Sequence, residues 1–220
     1  MTKAKHLTEF FIYTFLFSYL VWAALIFLNL PDSWFLPLLI LGAFGPSLTA
    51  TGLIHWYADK NERRDFWKSV MTPGRINLKM YLVILFLFPG ILIAGYYFYS
   101  LFGGITPSPA SFFDGLETPE TFIMLMLIMV IAGPVSEELG WRGYALDPLQ
   151  KKWGCLRGSL ILGIIWILWH LPLFFIAGTS QAEKGFGPAF WSWCFQVISL
   201  SVIFTWIYNH TRKSTLGAII

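Results

Sequence analysis

Charge is what this sequence has least of. Of its 220 residues only 12% are Asp, Glu, Lys or Arg, about half the share of an ordinary soluble domain. Against that, 56% are hydrophobic and 19% aromatic, and the mean hydropathy is +0.64. So few charges cannot cover so much apolar surface, which excludes a soluble monomer and a disordered chain alike. A net charge of only +3 excludes the broad basic face of a nucleic-acid binder. Cysteine is nearly absent. Cys155 and Cys194 have neither metal-ligand spacing nor enough company for a disulfide framework, and read as small packing residues. Internal repeats, H-E-x-x-H and G-x-S-x-G are missing too, so a helical zinc protease and an α/β serine hydrolase find no support.

Long apolar runs are what the sequence has instead. Six reach the roughly 20 residues that a spanning helix needs: Thr8–Leu30, Trp34–Trp56, Met80–Phe102, Glu120–Trp141, Ser159–Ala177 and Pro188–Tyr208. A seventh, Ser214–Ile220, rises only about 10 Å. The expected fold is all-α: a polytopic transmembrane helical bundle of six spans plus the start of a truncated seventh, forming one membrane domain over 1–220. The first run is too long for a signal-peptide core and no small-x-small cleavage site follows it, so it is expected to remain as an anchor. With the N-terminus inside, fourteen of the fifteen basic residues fall in inner segments and only Lys184 falls outside. That bias predicts a multi-pass protein of the cell membrane with a cytoplasmic N-terminus. The inner segment 57–79 mixes both signs of charge with Trp56, Phe66 and Trp67, and reads as an interfacial helix on the cytoplasmic leaflet. The outer segment Gly103–Pro119, rich in Gly and Pro, reads as an irregular loop.

An ionisable group in hydrocarbon is costly unless paired or hydrated, so each one is a functional candidate. The fourth run ends in Gly133-Pro134-Val135-Ser136-Glu137-Glu138-Leu139-Gly140-Trp141-Arg142, and the fifth holds Trp166-Ile167-Leu168-Trp169-His170-Leu171-Pro172. Helical residues four apart share a face, so Glu138 meets Arg142, with the glutamate on the favourable N-terminal side. Glu137 points elsewhere, is expected to lack a partner in its own helix, and suits a general base. The other reading is that both glutamates solvate the helix end at the cytoplasmic rim. His170 lies about 16 Å into its run, and Pro172 frees a backbone carbonyl one turn earlier. For Glu137 to reach that depth, the fourth helix must continue past Trp141 towards Ala145 or Leu146, and the site is then a cavity open to the cytoplasm. His55 and Asp59 are expected to pair at the surface, and His6 and His210 to be solvated. Two glutamates and a histidine suit zinc by ligand type. Zinc usually takes three protein ligands plus water, and Glu138 is committed to Arg142. A site without metal is therefore favoured, with Glu137 and His170 as the ligands if a metal is present.

The run Glu137-Glu138-Leu139-Gly140-Trp141-Arg142-Gly143-Tyr144 resembles an E-E-x-x-x-R motif, and Trp166-x-x-x-His170 resembles F-x-x-x-H with Trp in place of Phe. In that order, in adjacent spans, they resemble the CAAX-protease and bacteriocin-processing (CPBP) family of intramembrane proteases. The resemblance covers residues 120–220 and implies a catalytic core there, with 1–119 supplying N-terminal spans. It implies that Glu137 activates the attacking water. His170 then assists as proton donor or water-positioning group, while Glu138, Arg142 and Trp166 support the site. The family has a third motif, H-x-x-x-N, in a later span. Here the seventh run stops at Ile220, so this core is expected to be incomplete at its C-terminus.

The implied function is an intramembrane endopeptidase that hydrolyses a peptide bond of a peptide or membrane-protein substrate, at the cytoplasmic side of the bilayer. Two readings stand beside it: a catalytically inactive binding or immunity protein, and a proton-coupled transporter using Glu137 and His170 as carriers. Trp141, Trp166 and Trp169 either line an apolar substrate groove or serve as packing and interfacial anchors.

Overall fold

The computed structural model describes residues 2–104, 108 and 118–220, and these form helices and connections with no strand among them. Most of the segment expected to be an outer loop, Gly103–Pro119, lies outside the described residues. Five helices are long and apolar enough to cross a membrane: α1 (Leu7–Phe27), α5 (Leu78–Leu101), α6 (Pro119–Trp153), α7 (Cys155–Phe175) and α8 (Pro188–His210). A sixth candidate is a pair, α2 (Phe35–Ala43) and α3 (Gly45–Tyr57), broken by a bend of 46°. The protein is thus an all-α, polytopic membrane bundle. Shorter helices accompany it, among them α4 (Lys60–Met71) and α9 (Leu216–Ile219).

The second apolar run is not one straight helix, and proline is the reason. Pro46 has no N–H to offer the Gly42 carbonyl, so the ladder breaks there. The freed Gly42 oxygen accepts a hydrogen bond from Ser18 Oγ on α1 at 2.7 Å. Pro172 likewise offers no N–H to the Leu168 carbonyl in α7; that oxygen accepts from the Leu171 N–H and from Tyr19 Oη, the latter at 2.6 Å. This is the carbonyl singled out in the sequence, and α1 bonds it.

The fourth run extends further than its hydropathy suggests. α6 continues through Ala145 and Leu146 to Trp153, 35 residues in all, or about 50 Å at 1.5 Å per residue. It carries two π-helical stretches, Ile131–Val135 and Trp141–Ala145, either side of Ser136–Gly140. The first holds Pro134. Within the second, the Gly143 carbonyl accepts from Lys3 Nζ at 2.7 Å. Gly154, at φ +80°, makes the tight turn into α7, a conformation that favours glycine. The lengthened helix corrects the reading of Arg142 as an inner-loop charge: it sits inside the bundle with no exposed surface. α7 likewise begins at Cys155 rather than at Ser159.

Packing follows from small residues at close crossings. Ser136–Gly140 of α6 packs on α3, where a Cβ at Gly140 would lie 2.5 Å from Pro46. α7 packs on α8 and on the C-terminal part of α6. One buried cluster joins Phe10 and Trp22 of α1, Ala50 and Ile54 of α3, and Trp141, Tyr144, Leu162 and Trp169 of α6 and α7.

Outside the bundle core, Asp59 caps α4, accepting from the amides of Asn61 and Glu62 at 2.8 and 2.9 Å. It does not pair with His55, whose Nδ1 bonds the Thr51 carbonyl. The cap satisfies two amides and competes successfully with a surface histidine. His6 is buried rather than solvated, stacked on Tyr57 at 4.1 Å and bonded to Glu9. α4 buries Phe66 and Ser69, and Ser69 Oγ meets Thr215 Oγ1 at 3.1 Å, just before α9.

Replacing Tyr19→Phe removes the side-chain donor to the Leu168 carbonyl and leaves it only the Leu171 N–H. We expect a loss of about 1 kcal/mol in unfolding free energy, measured by denaturant titration in detergent. A variant as stable as the parent would contradict the role given to this bond.

Candidate active site

α6 and α7 form an antiparallel hairpin about Gly154. Glu137 precedes that turn by 17 residues and His170 follows it by 16, so each lies about 25 Å along its helix from the turn. The hairpin therefore brings both motifs to one level, which the shorter helix read from hydropathy could not do.

At that level the two adjacent glutamates divide. Glu138 Oε1 accepts from Arg142 Nη1 at 2.7 Å, with 1% and 0% of the two side chains exposed. The guanidinium lies between two aromatic faces, with Cζ 4.8 Å from the ring centroids of both Trp166 and Phe204. These cation–π contacts hold a cation whose Nε and Nη2 make no protein hydrogen bond.

Glu137 is buried, at 8% exposure, with no cation bonded to it. It is not without partners, however. Trp166 Nε1 donates to its Oε2 at 2.5 Å, and Trp141 Nε1 donates to the same oxygen at 3.2 Å. This corrects the expectation that Glu137 has no partner in its own helix. Trp141 stands four residues along, so the face-sharing rule that paired Glu138 with Arg142 pairs Glu137 with Trp141 as well. Groove lining and packing, the two roles expected of these tryptophans, both use the ring and leave out its N–H donor.

His170 is half-buried. Its Nδ1 lies 2.8 Å from the Trp166 carbonyl. A carbonyl can only accept, so in the neutral ring Nδ1 carries the proton and Nε2 holds the lone pair. The ring is edge-on to Trp169 and Trp193, at 4.7 and 5.6 Å between centroids. Among the described residues no hydrogen bond joins His170 to Glu137. Trp166 links them, bonded to the glutamate through its side chain and to the histidine through its backbone.

Trp169 completes the frame. Its Nε1 donates to Ser18 Oγ at 2.8 Å, and its ring crosses Trp141 and Trp22. Three turns further along α6, beside Asp147, a polar cavity of about 730 Å³ is lined by Lys3, Glu62, Asp147, Tyr208 and Lys213 among others. Burial holds the Lys3 amine below its ordinary pKa, and the Thr2 hydroxyl holds the Glu62 carboxyl below its own. His210 is exposed and bonds the Trp206 carbonyl, away from the site.

A zinc ion would need three protein ligands plus water. Among the described residues no group of three or more His, Cys, Asp and Glu lies close enough to share an ion. Glu137 and His170 would supply two donors, while Glu138 is held by Arg142. This donor set does not fit a zinc centre.

Removing the cation is the severe test of the ion pair. Arg142→Leu leaves Glu138 buried without a counter-charge, and we expect about 3–5 kcal/mol of lost stability. The Glu138→Leu/Arg142→Leu pair should recover part of it, as read from thermal unfolding in detergent. Equal stability of Arg142→Leu and the parent would contradict the pairing.

Comparison with known proteins agrees with the two motifs. A family model described as type II CAAX prenyl endopeptidase Rce1-like matches residues 119–220. A curated protein, CAAX prenyl protease 2 of Methanococcus maripaludis, is 29% identical over 217 residues, covering 96% of this chain and 79% of that protein. The match thus runs through the N-terminal spans as well as the motif-bearing half. Residues 119–220 match the Rce1-like model and the chain is similar along most of its length to a CAAX prenyl protease; both findings support a multi-pass membrane peptidase resembling the CPBP family.

Proposed function

We propose that this protein hydrolyses a peptide bond near an isoprenylated cysteine, using a water molecule activated by Glu137. The relative's name supplies the substrate class: a C-terminal C-a-a-X sequence whose cysteine carries a prenyl chain. One observation carries the chemistry. Glu137 is a buried carboxylate with no cation bonded to it, at the level of a histidine whose Nε2 is an acceptor, while the neighbouring Glu138 takes the local cation.

In this reading a water bridges Glu137 and His170 Nε2. The water oxygen attacks the scissile carbonyl carbon while its proton passes to Glu137. The carbon–nitrogen bond then breaks, and the same proton moves from Glu137 to the departing amine. His170 holds the water by accepting its second hydrogen. Trp166 sets the histidine tautomer through its carbonyl, and Glu138 with Arg142 keeps the helices in register. The prenyl chain remains in the bilayer, against the apolar outer faces of the helices. The N-terminus lies on the cytoplasmic side of the cell membrane, following the basic residues, and water enters from the polar cavity by Asp147.

Glu137→Ala and Glu137→Gln should each lower cleavage of a farnesylated C-a-a-X peptide by about 10³-fold, and His170→Ala by about 10²-fold, with folding intact. Mass spectrometry of the released tripeptide measures this. Cleavage near the parent rate in Glu137→Ala would remove the assignment.

A further inference from the structure

A carboxylate has two equivalent oxygens until its surroundings distinguish them. Around Glu137 they do so strongly. Both indole N–H groups converge on Oε2, from Trp141 at 3.2 Å and Trp166 at 2.5 Å. Among the described residues Oε1 has no hydrogen-bond partner, and it is not among the sealed polar atoms of the core. An indole N–H only donates, so neither ring can turn to offer an acceptor. We infer that Trp141 and Trp166 are positioning residues that anchor Glu137 by Oε2 and leave Oε1 as the oxygen that receives the proton from the attacking water. The inference rests on the Glu137 reading above.

The anchors are themselves held rigid. Trp141 has no exposed surface and is wedged edge-on against Phe10 and Trp169, at 5.8 and 5.6 Å. Trp166 carries the Arg142 guanidinium over its ring, and Glu138 holds Arg142. A chain of contacts therefore runs from Glu138 through Arg142 and Trp166 to Glu137. It gives the second glutamate a part in aiming the first. Such support matters because a catalytic group must be held within a fraction of an ångström of its productive position.

Trp166 stands where the related motif has Phe. A phenyl ring there could still stack on Arg142, but it has no N–H. Trp→Phe is thus the change that removes the bond and keeps the packing.

The test uses the full chain in detergent, with a fluorophore–quencher peptide ending in a farnesylated C-a-a-X sequence as probe. Trp141→Phe and Trp166→Phe should each lower kcat about tenfold, and the double variant about 10²-fold, with KM changed less than about twofold. A double variant with the parent's kcat, or one whose whole loss lies in KM, overturns the inference. Full activity in Glu137→Ala overturns the underlying reading instead. A second measurement needs no turnover: in protein labelled with ¹⁵N at the indoles, the Nε1–H resonances of Trp141 and Trp166 should both move on Glu137→Gln. If neither moves, the indoles do not hold this carboxylate, whatever the probe shows.

Discussion

No backbone polar group can be left bare in a bilayer, and this fold is arranged around that constraint. At two prolines, Pro46 of α3 and Pro172 of α7, the carbonyl four residues earlier is bonded by a side chain of α1, and a third carbonyl, on α6, is bonded by Lys3. Ser18 takes Gly42, Lys3 takes Gly143 and Tyr19 takes Leu168. Two of these bonds fasten the motif-bearing helices, one in the C-terminal part of α6 and one beside His170. The N-terminal spans are therefore part of the frame on which Glu137 and His170 are held. Ser18 serves twice, since its oxygen also accepts from Trp169.

The second constraint is charge. Two adjacent carboxylates in a dry interior cannot be treated alike, and helical geometry separates them because neighbours point about 100° apart. Glu138 turns to Arg142 and spends its charge on an ion pair between two aromatic faces. Glu137 turns to two indoles, which donate hydrogen bonds without bringing a formal charge. The first arrangement suits a structural pair. The second suits a group that has to gain and lose a proton.

Much of this was legible in the residues. Hydropathy located the apolar runs, and the four-residue spacing located the Glu138–Arg142 pair and the carbonyl that Pro172 does not bond. What hydropathy misread were boundaries. It marks where apolar character ends, so it stopped the fourth run at Trp141; the depth of His170 called for a helix reaching Ala145 or Leu146, and α6 does continue past them, to Trp153. The bend between α2 and α3 was written in Gly45-Pro46 but hidden by the continuous apolar run around it. Trp141 escaped because tryptophan was counted as bulk; its donor matters only once a buried carboxylate stands four residues before it. The Asp59 cap was missed for the opposite reason: a charge match with His55 was favoured over the unsatisfied amides at the start of α4.

The central claim is that Glu137 acts on water and not on the substrate itself. A single turnover in H₂¹⁸O tests it most directly, with enzyme in excess over a farnesylated C-a-a-X peptide and mass spectrometry of the new C-terminal carboxyl. Attack by an activated water puts one ¹⁸O into that carboxyl in the first turnover. Cleavage without label would mean that an enzyme carboxylate oxygen attacked the carbonyl, and an intact peptide would mean that the site is not hydrolytic; either result contradicts the account.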